Sequence, residues 1–305
     1  MPGKRCSPVM TAIRSAAMIV NARSRRGQRL FQQACDVVAS LPFPVEAHAV
    51  ERPGDLEATV KRALASKPDL VILGGGDGTI SGLVDLLVGK GVVLGVLPLG
   101  TANSFARSLG LPLDVAGAVE AIRTGAPRRI DLGMIDGDYF ANCAALGISP
   151  QIAETVPHGL KKVLGRVGYL GWAAWEFLRF RPFTLIVGDG EGATRLRVVE
   201  VRISNGPYHG GTQLVDSADL ASGEIVVQAV VGHARRYLVR NWAASLVGHP
   251  LRHEDVREFR GTALRVATEP PLPISIDGEV LATTPVTARI AAGVIEVMAP
   301  VQPVG

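Results

Sequence analysis

Cysteine is nearly absent: Cys6, Cys35 and Cys143 are the only three in 305 residues. An odd number spread this far apart excludes a disulfide framework and the clustered ligands of a zinc site, and fits a reducing cytoplasm. Aromatic residues are also scarce, at 5%. No long basic run occurs and no basic segment is interleaved with several aromatics, so the net charge of +4 permits anionic ligands without indicating nucleic acid. No stretch reaches the roughly eighteen uncharged apolar residues of a membrane span. Lys4, Arg5 and Arg14 precede the apolar run 16–20, which is too short for the core of a signal peptide and reads as a first strand.

What is present is an ordinary globular composition, 47% hydrophobic and 20% charged, enough for a large core and two domains. Strands are expected at 16–22, 45–50, 70–73 and 92–97. Helices are expected at 28–39, 55–65, 80–88, 101–108 and 115–124. This alternation predicts a doubly wound α/β domain, a parallel sheet with helices on both faces, whose ligands bind at the carboxyl ends of the strands. After Asp131 the strand-like runs crowd together, at 133–135, 139–146, 184–187, 195–204, 224–231, 263–267 and 274–276. They predict a mostly antiparallel β-sandwich, interrupted by helical stretches at 157–180 and 235–247.

The chemistry concentrates at Asp69-Leu-Val-Ile-Leu-Gly-Gly-Gly-Asp-Gly-Thr79, a buried-type strand that enters a glycine turn and a helix expected to open at Thr79. Gly74, Gly75, Gly76 and Gly78 bare the backbone, and the helix start offers unpaired N–H groups to an anion, so a nucleotide phosphate is the first expectation. A dinucleotide fingerprint would need Gly or Ala where Thr79 stands, and a P-loop would need Gly-Lys-Ser/Thr. Neither is found. Asp77 is out of place in a phosphate loop: it either accepts backbone hydrogen bonds and shapes the turn, or works through a divalent cation or a ribose hydroxyl. A second turn of the same kind closes Val92-Val-Leu-Gly-Val-Leu-Pro-Leu-Gly-Thr-Ala-Asn103, presenting Gly100, Thr101 and Asn103 at a helix start.

Gly75-Gly-Asp-Gly-Thr79 followed by Pro98-Leu-Gly-Thr-Ala-Asn-Ser-Phe-Ala106 resembles the diacylglycerol kinase catalytic family, bacterial lipid kinases related to sphingosine kinases and NAD kinases. Asn21-Ala-Arg-Ser-Arg-Arg-Gly27, Asn205-Gly-Pro-Tyr-His-Gly-Gly211 and Asp277-Gly-Glu279 resemble three further family motifs in the same order. The resemblance implies a nucleotide-binding domain over 1–131 and a sandwich over 132–293, with a last strand near 294–299 returning to the first domain. It implies ATP and Mg²⁺, with ATP held by Asn21, Ser24, Gly74, Gly75, Gly76, Asp77, Gly78, Thr79, Gly100, Thr101 and Asn103. Asp277 or Glu279 then acts as base toward a lipid hydroxyl, and the residues alone do not choose between them. Asp277-Gly278 is equally a hairpin-turn signal, repeated at Asp136-Gly137 and Asp189-Gly190.

Departures from the family pattern are Ser104 in place of aspartate, and Ala221 and Ser222 in place of two carboxylates that help hold a structural Mg²⁺ in relatives. Asp131 is retained, and Asp216 and Asp219 lie nearby, but that structural metal is not expected here. The resemblance implies a lipid partner met at a membrane surface and a cytoplasmic protein, with attachment to the inner membrane face and a homodimer left open. Basic and aromatic residues over 157–181, among them Lys161, Trp172 and Trp175, suit either a membrane interface or a helix packed on the sandwich. His158 and His209 lack metal-ligand partners at useful spacing. An NAD kinase-like enzyme is the first alternative, weakened because no Asn-Glu dipeptide is present to hold a second ribose. A catalytically weakened nucleotide- or lipid-binding homologue is the second, on Ser104, Ala221 and Ser222.

Overall fold

The structure, a computed structural model, describes residues 13–147, 180–232 and 256–301. Four strands, β1 (Ala16–Asn21), β2 (Val45–Val50), β3 (Leu70–Gly75) and β4 (Val93–Pro98), pair in parallel in the order β2-β1-β3-β4. β3 and β4 are apolar runs buried along their whole length, as strands covered on both faces must be. Alternation along them splits the core in two. Ala17, Ile19, Val71, Leu73, Leu94 and Val96 join Val60 of α2 (Leu56–Ala65) and Ile80 and Val84 of α3 (Asp77–Val84) in one cluster. Met18, Val20, Leu70, Ile72 and Leu97 join Ala34 of α1 (Arg25–Val38) and Val119 of α5 (Val115–Thr124) in the other. Because the strands are parallel, their carboxyl ends bring residues 21–24, 75–77 and 98–103 to one edge.

The second half is antiparallel and built around β9 (Thr194–Ser204), which pairs with β7 (Cys143–Gly147), β8 (Phe183–Val187) and β12 (Ile225–Val231). Its core holds Phe140, Phe183, Leu185, Val201, Ile203, Val227 and Val266. The chain enters through β5 (Ala126–Ile135) and leaves through β17 (Val286–Ala299), two long antiparallel partners. β17 begins beside β14 (Ala263–Glu269) and ends parallel to β4, so one strand joins the antiparallel and parallel parts into a continuous sheet.

Several expectations need correction. The strand expected near 294–299 is only the end of β17. The run 139–146 is two strands, β6 (Asp138–Phe140) and β7, because the amides of residues 141–143 turn away from a sheet partner toward a carboxylate. The helix expected from residue 80 starts at Asp77, and that expected over 101–108 is only α4 (Ser104–Ser108), since Asn103 sits at φ +49° and breaks the turn before it. β13 (Val256–Gly261) and β16 (Glu279–Thr283) were not foreseen. The helical stretches expected at 157–180 and 235–247, with the basic and aromatic residues of 157–181, lie outside the described residues except for Phe180 and Arg181.

Candidate active site

At the end of β3, Gly76 is the N-cap of α3 and no side chain caps the helix, so its first amides remain open to an anion. Two of the glycines before it are fixed by packing. A Cβ on Gly74 would lie 2.8 Å from Val20 Cγ2, and one on Gly75 would lie 2.6 Å from the Thr79 side chain. A Cβ on Gly100 would lie 2.5 Å from Gly76 Cα. The two turns therefore touch backbone to backbone, with no room for any side chain between them.

The polar residues tie these turns together. Asp77 Oδ1 accepts from Phe105 N–H at 2.9 Å, bracing the second turn against the first; this is the shaping role, and Oδ2 is left over. Asn21 Nδ2 donates to Thr79 Oγ1 at 3.2 Å, and Ser24 Oγ caps α1 by accepting from Gly27 N–H at 3.0 Å. Asn103 accepts from Gly100 N–H at 2.8 Å and donates to the carbonyls of Pro98 and Gly100. Its amide is thus engaged inside the turn that was expected to contact ATP. Thr101 is exposed and does not begin a helix.

Between the 21–27 loop and Gly75-Gly76 lies a cavity of about 360 Å³, within the size range of small-molecule sites. Arg23 and Arg26 line it, with Leu30 and Leu99 as apolar walls. Two guanidiniums beside an uncapped helix start suit a polyphosphate. Neither arginine is distinctive in the sequence, although both lie within Asn21–Gly27: a basic pair at a helix start reads equally as solvated surface.

Across from α3, Asp277 and Gly278 form the turn between β15 (Pro273–Ile276) and β16, with φ +45° and +99°, as a two-residue hairpin turn requires. The hairpin reading and the site reading coincide here. Asp277 is half-buried, with its carboxylate turned onto the backbone of residues 141–143. Oδ2 accepts from the amides of Ala141 and Asn142 at 3.1 and 3.3 Å, and Oδ1 from that of Cys143 at 3.0 Å. Burial pushes Asp277 up to about 6, against the downward pull of the Ser81 hydroxyl and the backbone amides, with Asp77 adding repulsion. Ser81 lies on α3, so that helix and the hairpin share one hydrogen-bonded junction. Glu279 is exposed and has no polar partner among the described residues. Its Oε1 lies 3.5 Å from where a Cβ on Gly78 would stand. The structure thus brings Glu279 and Asp277 against the glycine turn.

The Asn205–Gly211 turn supports this junction. Asn205 Nδ2 donates to the carbonyls of Asp131 and Ala141, both at 2.8 Å, Asn142 donates to Tyr208 O, and Gly211 N–H donates to Ser104 Oγ at 3.0 Å. His209 is held below the usual histidine range by burial first and by Arg202 second. Cys143 is pushed up to about 12 by burial and is an inert thiol. The region where relatives hold a structural Mg²⁺ has a different donor set. Asp131 accepts from Gly223 and Gly293 N–H, both at 2.7 Å, one on each oxygen. Asp219 pairs with Arg128 at 3.5 Å, Ser222 Oγ bonds to backbone carbonyls, Ala221 offers no oxygen, and Asp216 faces solvent. These donors do not converge and do not fit a divalent cation.

Comparison with known proteins agrees with this geometry. The family described as "Diacylglycerol kinase catalytic domain" matches residues 15–135, and that described as "YegS C-terminal NAD kinase beta sandwich-like domain" matches residues 142–299. The chain is 28% identical over 294 residues to a diacylglycerol kinase of Staphylococcus epidermidis, covering 87% of this chain and 85% of that protein. It is 28% identical over 278 residues to a diacylglycerol kinase of Bacillus subtilis, covering 88% and 90%. It spans 55% of the length of an uncharacterised protein of Synechocystis sp., to which it is 27% identical over 243 residues. A crystal structure of a diacylglycerol kinase from Bacillus anthracis superposes with a TM-score of 0.71 at 19% identity, over 95% of this chain and 98% of that one, which shows the shared fold. Matched over residues 15–135 by the one family and over 142–299 by the sandwich family that accompanies it, the chain belongs to the diacylglycerol kinase catalytic domain family.

Proposed function

We propose that this chain is an ATP-dependent lipid kinase that transfers the γ-phosphoryl group to a hydroxyl of diacylglycerol or a similar lipid. Membership of a kinase family establishes a kinase-type phosphotransferase; the lipid acceptor is the reading drawn from relatives named diacylglycerol kinase. The observation that carries it is the unpartnered Glu279 carboxylate lying beside Gly78 in the uncapped first turn of α3.

The triphosphate enters the cavity beside Arg23 and Arg26 and ends at the first turn of α3. Gly76, Gly78 and Thr79 offer it their backbone there, while Asn21 and Ser24 hold the opposite wall. The acceptor hydroxyl approaches from the β15–β16 side, and Glu279 accepts its proton as the oxygen attacks, a contribution on the order of 10²–10⁴ in rate. Asp277 is occupied by three amides and positions the hairpin. Phosphoryl transfer depends on positioning and charge stabilisation, which rigid amides supply. The Mg²⁺ that accompanies ATP fits the free Oδ2 of Asp77, the one charged oxygen of the turn left without a partner; when bound it neutralises charge on the phosphates.

The loss of the family carboxylates leaves the catalytic parts standing: Ser104 holds Gly211, and backbone amides satisfy Asp131. That favours an active enzyme over a weakened homologue. The lipid partner places the protein against a membrane surface as a peripheral protein, with ATP on the cytoplasmic side; among the described residues no helix is long and apolar enough to cross a membrane. Incubation of purified protein with γ-labelled ATP, Mg²⁺, diacylglycerol in mixed micelles and NAD tests the proposal. Label in the lipid extract supports it. Label in NADP favours the NAD kinase reading, and ATP binding with no transfer favours the weakened homologue.

A further inference from the structure

The hairpin that carries Glu279 is the end of the main sheet: β16 pairs with β15 alone among the described residues. The pairing is irregular. Val280 lies opposite Ser275 and Ala282 opposite Ile274, so Leu281 has no opposite residue and forms a β-bulge. Bulges twist an edge and re-aim one side chain, and they gather next to active sites. Here the re-aimed side chain is a leucine left 65% exposed, with Val280 beside it at 36%. Among the described residues only Val301 is a large hydrophobic as exposed, at 66%. Leu281 stands two residues, roughly 7 Å along a strand, from Glu279.

An exposed edge leucine is a liability in water, and a short edge strand usually carries charge or proline instead. Its position supplies a use. Resting on the proposed lipid-kinase reading, the base on Glu279 must reach a hydroxyl at the boundary between water and acyl chains, and the strand that carries it must arrive there too. We infer that Leu281, with Val280, is the point at which the catalytic hairpin enters the lipid surface. A second copy of the chain is the rival occupant. The bulge argues against it, because it interrupts the even row of N–H and C=O groups that edge-to-edge pairing needs.

The test uses vesicles of phosphatidylcholine and phosphatidylglycerol that contain no kinase acceptor, so binding is read apart from catalysis. Co-sedimentation of Leu281→Ser is expected to be weaker than wild type by roughly tenfold, the loss of about one partly inserted leucine. Leu113→Ser, the same loss at another exposed site, leaves binding unchanged. Leu281→Trp is expected to show blue-shifted emission on vesicle addition and quenching by brominated lipid. Equal sedimentation of Leu281→Ser and wild type, or a Leu281→Trp emission that ignores vesicles, overturns the inference. So does a Leu281→Ser protein that loses self-association in sedimentation velocity while keeping vesicle binding. The circular dichroism of each variant confirms its fold. Phosphorylation of a water-soluble short-chain diacylglycerol by the wild-type protein tests the lipid-kinase reading separately: its failure with vesicle insertion intact sinks that reading alone.

Discussion

Gly100→Ala adds one methyl group where the two glycine turns meet. The new Cβ would stand 2.5 Å from Gly76 Cα and 2.8 Å from Asn103 Oδ1, whereas carbon atoms rest at about 3.5–4.0 Å. One neighbour is backbone and the other is a side chain bonded to Gly100 N–H, so neither can swing away, and the turns must part by about 1 Å. Overpacking of this kind costs about 1–3 kcal/mol of stability. A displacement of that size at the phosphate end of the site costs on the order of 100-fold in transfer rate. Urea unfolding reads the first effect, and steady-state transfer with titration calorimetry of ATP reads the second. Gly82→Ala is the control: it lies exposed on α3 with nothing within 4 Å of its Cβ, so it should stabilise by about 0.5–1 kcal/mol without slowing transfer. Wild-type kcat/KM in Gly100→Ala would refute the claim that contact between the turns shapes the phosphate site.

Asp277, raised to about 6 from an ordinary 3.8, binds its proton more readily folded than unfolded, so its favourable contribution is present below the unfolded value and lost as pH rises through about 6. Across that window, urea unfolding should show wild type losing about 3 kcal/mol relative to Asp277→Asn; a difference that stays flat with pH contradicts the burial. Ser81→Ala, by removing a hydroxyl that lowers Asp277, should move the midpoint of that loss upward in the same titration. Asp131→Ala strips two 2.7 Å bonds from Gly223 and Gly293 and should lower the unfolding free energy by about 3 kcal/mol, with Mg²⁺ restoring none of it in thermal melts. Arg202→Met leaves Glu200, its partner at 2.9 Å with both side chains buried, as an unpaired buried charge, and should cost about 3–5 kcal/mol in urea.

The parallel half was legible because its signals are local. Runs such as Leu70–Gly75 and Val93–Pro98 are apolar throughout and end in glycine turns, and their short length and flanking glycines separate them from the helices. The turns were legible as glycine-rich strand-to-helix connections but not in their internal wiring. That Asn103 is consumed by Pro98 and Gly100, and that Asp77 braces Phe105, depends on two turns meeting in space. The different surroundings of Asp277 and Glu279 were likewise hidden, since those of Asp277 are set by amides at 141–143 more than a hundred residues away. Arg23 and Arg26 were overlooked because charge at a helix start is usually solvated. β16 escaped because its bulge and exposed Leu281 break the alternation that marks a strand.

In the proposed reaction an acid carried by the sandwich faces the phosphate cradle and takes the proton from a lipid hydroxyl. The most direct measurement compares wild type with Glu279→Gln in transfer from γ-labelled ATP to diacylglycerol, with ATP affinity followed in parallel. The expected result is label in the lipid extract from wild type, a fall on the order of 10²–10⁴ in Glu279→Gln, and unchanged ATP affinity. Equal label from both proteins contradicts the account.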